Sequence, residues 1–227
     1  RQVVFQPEWG VPPSIKINDL LPKLQAGDLD VLERRNMRIL GLKGREIDPE
    51  RFNWDKVDIR DVGIYQRSGD DNPLGRVKFL FPNKHHVYMH DTNNRALFKE
   101  GERTFSHGCV RVRNPERLAE IILGNDKGWD RDRVQALLRD ESKANNKIEL
   151  EKPFPVHNVY FTLVPGPDRT LVKLDDIYGH DERVARALSG TPSAEIAEDD
   201  PARNQLEELE EAAPPTHKTS ARASDDD

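Results

Sequence analysis

The sequence holds one cysteine, Cys109, within the run Ser106-His107-Gly108-Cys109-Val110-Arg111-Val112-Arg113. If this run is extended, side chains alternate, so His107, Cys109, Arg111 and Arg113 share one face and Val110 and Val112 are buried opposite. Cationic neighbours favour thiolate over thiol, and the thiolate is the nucleophile. A structural cysteine would be expected among apolar side chains, whereas this one has a histidine and two arginines beside it. Gly108, lacking a Cβ, lets a backbone N–H come close to a reacting carbonyl, as an oxyanion donor must. The chemistry that suits these residues is acyl transfer through a cysteine.

A thiol nucleophile needs a base. In His86-Val87-Tyr88-Met89-His90, read as a strand, His86, Tyr88 and His90 lie on one face while Val87 and Met89 point to a core. On this segment alone a solvated polar face is a better reading than a site-lining one. His90 and His107 are the base candidates by proximity, with His85 and His86 behind them. A base two residues from its nucleophile must meet a tight local geometry, and one on a neighbouring strand is easier to orient from behind, which favours His90. Metal binding is the rival reading, because His85, His86, His90, Asp91, His107 and Cys109 are all zinc-ligand types. Their spacing matches no standard ligand pattern, and Lys84, Arg111 and Arg113 would oppose a dication. Neither a metal nor a cofactor is expected.

The elements that must position these residues are legible in outline. Residues 1 to 12 are strand-like, and Trp9-Gly10-Val11-Pro12-Pro13 breaks the pattern. Residues 14 to about 62 read as helical and irregular: Ile15, Ile17, Leu20, Leu21 and Leu24 recur at helical spacing before Gly27, a short helix follows over Leu29 to Arg35, and Pro49 to Trp54 is turn-rich. Gly75 to Phe81 and His86 to His90 predict a hairpin. Asn114-Pro115 opens a helix with Leu118, Ile121 and Ile122 inward and Gly124 as its end. Asp130 begins another with Val134, Leu137 and Leu138 inward. Strands are expected at Lys147 to Leu150, Asn158 to Val164 and Thr170 to Lys173, and a helix over Asp181 to Leu188.

The chain has 227 residues, 35% hydrophobic and 33% charged, which is the composition of a globular protein. No apolar run approaches the roughly 18 residues a membrane span needs, and no charged n-region followed by an apolar h-region marks a signal peptide. The net charge of −6 is misplaced as a property of the fold. Eleven acidic and three basic residues lie from Thr191 to Asp227, which leaves about +2 for the rest. A near-neutral body offers no clustered basic face for nucleic acid. The acidic stretch 191–227 has almost no large apolar side chains to offset its ordering entropy and is expected to be disordered.

Taken together, His90-Asp91-Thr92, Leu97-Phe98, Arg103 and Ser106-His107-Gly108-Cys109-Val110-Arg111 resemble the signature of the L,D-transpeptidase catalytic domain, the YkuD-like family: a His with a short polar step, then Ser-His-Gly-Cys-x-Arg some 16 to 19 residues later. Trp9 to Ile15 and Asn72 to Phe79 extend the likeness to the larger Gram-negative branch, which carries a capping subdomain. The resemblance spans about residues 3 to 188. It implies an α+β fold, a mostly antiparallel curved sheet or partial β-barrel, with a catalytic domain over 1–190 and a helical capping insertion over 13–62. The family's strands before the segment matching Val3 to Phe5 are expected to be missing.

For the site, the resemblance implies Cys109 as nucleophile, His90 as general base and the Asp91 backbone carbonyl as its orienting partner. Tyr88 would donate to the oxyanion or substrate, His107 and Gly108 would complete the motif, and Arg111 would anchor the site or a stem-peptide carboxylate. Trp9 would face the cleft from the entry to the insertion. The implied substrates are peptidoglycan stem peptides, with another stem or an anchored envelope protein as acceptor, and carbapenem β-lactams as inhibitors. Water as acceptor would make the same site an L,D-carboxypeptidase, and an inert thiol would leave a wall-binding module. The implied compartment is the periplasm of a Gram-negative bacterium.

Overall fold

The computed structural model describes residues 1–41, 44–85, 87–106 and 108–191. The expected disordered tail beyond Thr191, and the side chains of His86 and His107, lie outside the described residues. The fold is α+β.

The chain opens with β1 (Gln2–Phe5) and β2 (Trp9–Gly10), then enters the insertion. Here α1 (Pro13–Ile15) runs through a π turn, Lys16–Leu20, into α2 (Leu21–Gln25). Pro22 has no N–H for the carbonyl four residues back, and the turn before it is correspondingly widened. Next come α3 (Asp30–Arg34), β3 (Met37–Leu40), β4 (Glu46–Ile47) and, past two 3-10 turns, β5 (Gly63–Gln66). The segment is therefore not helical alone. Strands β2, β5, β3 and β4, in that order, form an antiparallel sheet. One face of this sheet shares a core with the helices, built from Leu20, Leu24, Val31, Leu32, Ile39, Trp54, Ile59 and Ile64. Ile17, read from sequence as part of the helical stripe, is 38% exposed.

The main sheet contains β6 (Val77–Leu80), β7 (Met89–His90), β8 (Val110–Arg111) and β9 (Asn146–Glu149), in the order β8-β7-β6-β1-β9. It is open, not a closed barrel, and antiparallel except where β7 and β8 run parallel. One face buries Val3, Phe5, Val77 and Phe79 against α4 (Pro115–Lys127) and α5 (Arg131–Arg139). Full burial of each such side chain contributes about 1.5–3 kcal/mol, so this layer is the platform on which the other face is held.

Helix α4 corrects two sequence readings. Its buried stripe is Pro115, Ala119, Ile122, Leu123 and Asp126, while Ile121 is 43% exposed. At 100° per residue Ile121 falls well away from that stripe, toward the opposite side of the helix. Gly124 lies inside the helix, which ends a turn later at Gly128, where φ is +66° and a left-handed cap suits glycine. Asp130 caps α5, its carboxylate accepting from Arg133 N at 2.8 Å. From His157 a second compact unit begins. It holds the hairpin of β10 (Leu163–Pro165) and β11 (Leu171–Lys173) and the helix α6 (His180–Leu188), whose first turn donates to the Asp176 carboxylate. The first of these strands begins at Leu163 instead of Asn158.

Candidate active site

Parallel pairing decides where the cysteine goes. Two parallel strands begin at the same end of a sheet and need a long connection between them; here residues 91 to 109 supply it. Val110 N donates to Tyr88 O at 2.9 Å and Val112 N to His90 O at 2.8 Å, so Cys109 enters β8 beside Tyr88, and Arg111 pairs with His90. The alternation that puts Cys109 and Arg111 on one face puts Tyr88 and His90 on the same one. The tyrosine hydroxyl is close enough to the Cys109 thiol to feel its charge. Burial first, then the neighbouring Cys109, pushes the phenol up to about 12, so it stays a donor at neutral pH. The Tyr88 and His90 rings meet edge to face at 5.8 Å.

His90 is 4% exposed, and its Nδ1–H donates to the Asp91 carbonyl. A carbonyl only accepts, so this contact fixes the tautomer and leaves Nε2 with the lone pair. Burial lowers the imidazole's proton affinity below its ordinary value; the Asp91 contact opposes that, and Arg111 and Lys78 add to it. The result is a neutral, oriented base.

Asp91 is held from all sides. Its carboxylate accepts from Thr92 N at 2.7 Å and Arg76 N at 3.0 Å and pairs with Arg95 at 3.0 Å, and it is 6% exposed. Gly75 makes the approach of Arg76 N feasible. Its φ is +59°, and a Cβ there would lie 2.3–2.6 Å from the Asp91 side chain. The turn that carries Gly75 is braced by buried Asn72, which donates to Pro7 O and Arg67 O and accepts from Leu74 N.

At the cysteine, Gly108 has φ +119° and a Cβ would meet Val87 Cγ2 at 2.9 Å, so the backbone there needs glycine. Ser106 Oγ donates to Cys109 O at 2.7 Å and accepts from Gly108 N at 3.3 Å, bracing the loop. Arg111 Nη1 donates to Phe105 O at 3.4 Å, and its Nε is buried without a hydrogen-bond partner among the described residues.

Tyr88, His90, Asp91, Gly108, Cys109 and Arg111 thus lie along the paired strands β7 and β8 and the residues that flank them. Trp9 is placed in β2 and packs against the core of the insertion. Val110, expected to be buried, is 44% exposed because β8 is a two-residue edge strand whose outer side has no neighbour in the sheet. Sequence reasoning missed Gly75, Glu8 and Lys78. Lys78 pairs with His90 across β6 and β7, with its Nζ 5.5 Å from the Tyr88 ring centroid. The alternation in Val77-Lys78-Phe79, which opposes the lysine to two core residues, was the available signal.

An open α+β sheet thus holds a buried, oriented histidine one strand from a half-buried cysteine. Comparison with known proteins gives the family. Residues 1–137 match the family model YkuD, the L,D-transpeptidase catalytic domain, and the chain belongs to that family. It is 33% identical over 182 residues to a Haemophilus influenzae protein named as a candidate L,D-transpeptidase. The match covers 80% of this chain and 36% of that relative, so the chain spans about a third of the relative's length.

Proposed function

We propose that the chain is a peptidoglycan L,D-transpeptidase that works through a Cys109 thioester. The observation that carries this reading is the His90 tautomer: Nδ1–H donates to the Asp91 carbonyl, and Nε2 remains as a lone-pair base on the face of Cys109. His90 takes the thiol proton, and the thiolate attacks the carbonyl carbon of the third residue of a tetrapeptide stem. The tetrahedral oxyanion is met by the phenol of Tyr88 and the backbone N–H of Cys109, and by that of Gly108 once it leaves Ser106 Oγ. Collapse breaks the amide, and the terminal D-Ala leaves with the proton from His90. The amine of a second stem, or of an anchored envelope protein, then attacks the thioester and restores the thiol, leaving a new crosslink. Arg111 binds a stem carboxylate, and His107 completes the loop that carries Cys109.

The insertion acts as a cap over this face. Arg38 of β3 pairs with Glu8 at 2.6 Å, and the Glu8 carboxylate acts electrostatically on Lys78, on the face of Cys109. That chain of charges ties the insertion to the site side of the main sheet. The compartment proposed is the periplasm, where stem peptides are found; no helix among the described residues is long and apolar enough to cross a membrane.

Intact mass spectrometry with a carbapenem tests the reading. A thiolate facing an oxyanion hole opens the β-lactam and keeps the acyl group, so one adduct is expected on the parent and none on Cys109→Ala. An adduct that persists in Cys109→Ala removes the cysteine from the mechanism.

A further inference from the structure

The registers of the main sheet put Lys147, Val4, Lys78, His90 and Arg111 in one row across β9, β1, β6, β7 and β8. Paired residues share a face, so this row crosses the same surface as Tyr88 and Cys109. Within it Lys78 is the cation at the centre. Its ammonium lies 5.5 Å from the Tyr88 ring centroid, within range for a cation–π contact, and that tyrosine sits beside Cys109 across β7 and β8. The charges acting on Lys78 are Lys147, Cys109 and Glu8. Glu8 is already engaged, by Arg38 at 2.6 Å and by Asn145 at 2.9 Å. The lysine is thus left facing the thiol with its charge only partly answered.

We propose that Lys78 is a positioning residue of the acyl-transfer site: it holds the Tyr88 ring and sets a positive potential at Cys109 that draws an anionic peptide donor, carboxylate first, toward the thiol. This rests on Cys109 being the nucleophile. A side chain present only to cover the sheet would hold Tyr88 equally well without charge, so the potential is what separates the two roles.

Two alkylating probes of similar size measure it. Iodoacetamide is neutral and iodoacetate is an anion; each forms a C–S bond and releases iodide, and their rate ratio cancels the thiolate fraction. Removing one unit charge two strand spacings, about 10 Å, from the thiolate in a partly wet site is worth about two- to fourfold in that ratio. In Lys78→Met the iodoacetate-to-iodoacetamide ratio at Cys109 is expected to fall by that factor, and Lys78→Arg to keep the parent ratio. Lys147→Met, farther along the row, should change it less. Cooperative thermal melts establish that each variant is folded, with Lys78→Gln in place of Lys78→Met if the latter is not. An unchanged ratio in the folded neutral variant, with Cys109 still reactive, overturns the proposal for Lys78 alone. A parent Cys109 inert to both reagents overturns the nucleophile reading and this inference with it.

Discussion

Gly75 is the most exacting test of how the base is held. Adding one methyl in Gly75→Ala asks two things of the structure. An L-residue must adopt φ +59°, which costs about 1–2 kcal/mol. The new Cβ must also displace an Asp91 side chain 2.3–2.6 Å away. That carboxylate cannot move without loosening its bonds to Thr92 N, Arg76 N and Arg95. A hydrogen bond to a charged group is worth about 1.5–3 kcal/mol, so losing one raises the total to roughly 3–5 kcal/mol. Urea denaturation followed by tryptophan fluorescence measures this directly.

A double-mutant cycle separates the two terms. In an Asp91→Gly background, which removes the carboxylate and also the Asp91 Cβ 2.6 Å from the new methyl, the clash is gone, so Gly75→Ala should cost only the backbone term, about 1–2 kcal/mol, and the coupling energy should be about 2 kcal/mol. The backbone carbonyl of Asp91 orients His90, so Gly75→Ala should also slow turnover although it touches no reacting atom. A Gly75→Ala protein within about 1 kcal/mol of the parent would refute the reasoning, because it would mean that the Asp91 carboxylate is free to yield.

His90→Ala should lower turnover by about 10²–10⁴-fold, the size of a general-base contribution; near-normal turnover would return His107 as the base. Burial depresses the proton affinity of His90, so between its folded value and about 6.5 the unfolded chain binds the extra proton and stability rises with pH. The acid limb of kcat/KM should therefore lie below the ordinary imidazole range, and the part of the acid destabilisation that His90 carries should disappear in His90→Gln. If the insertion is a cap, a bound stem-peptide analogue should slow amide exchange across residues 14–60 that are described; exchange unchanged there and slowed only near Cys109 would reduce it to a packing element.

What was legible in the sequence was whatever alternation could carry. Val77 to Leu80 alternates buried and half-buried, as its apolar–polar pattern requires, and it sits in the centre of the sheet. The sheet of the insertion did not announce itself, since its strands are two to four residues long and offer too few periods to distinguish from irregular chain. Val110 misled for a related reason: alternation assigns a side chain to a face, but says nothing about whether that face is covered. Gly124 misled because a glycine near the end of an apolar stripe looks like a cap, whereas the helix had one more turn to run before Gly128 took the left-handed conformation.

The site divides along the same line. Cys109 and His90 could be picked out by residue type and by the face each strand presents. Gly75 could not, because its meaning comes from a partner sixteen residues away; alternation sets Lys78 on the site face, but its partner His90, twelve residues on, is known only from sheet register. A lysine in a strand reads as a solvated charge until the strand beside it is known. Glu8 is the sharper case. Its side chain is 8% exposed, and a carboxylate so buried would be costly unless paired; Arg38 and Asn145 pair it, from thirty and more than a hundred residues away. The Arg38 side chain is 26% exposed, so breaking this half-buried pair costs more than the roughly 0–1 kcal/mol of a surface pair and less than the roughly 3–5 kcal/mol of a fully buried one. The Arg38–Glu8 contact is therefore a structural joint between the insertion and the strand leading into the site. Any rearrangement of the insertion that moved Arg38 would alter the charge facing Lys78, and through it the potential at Cys109.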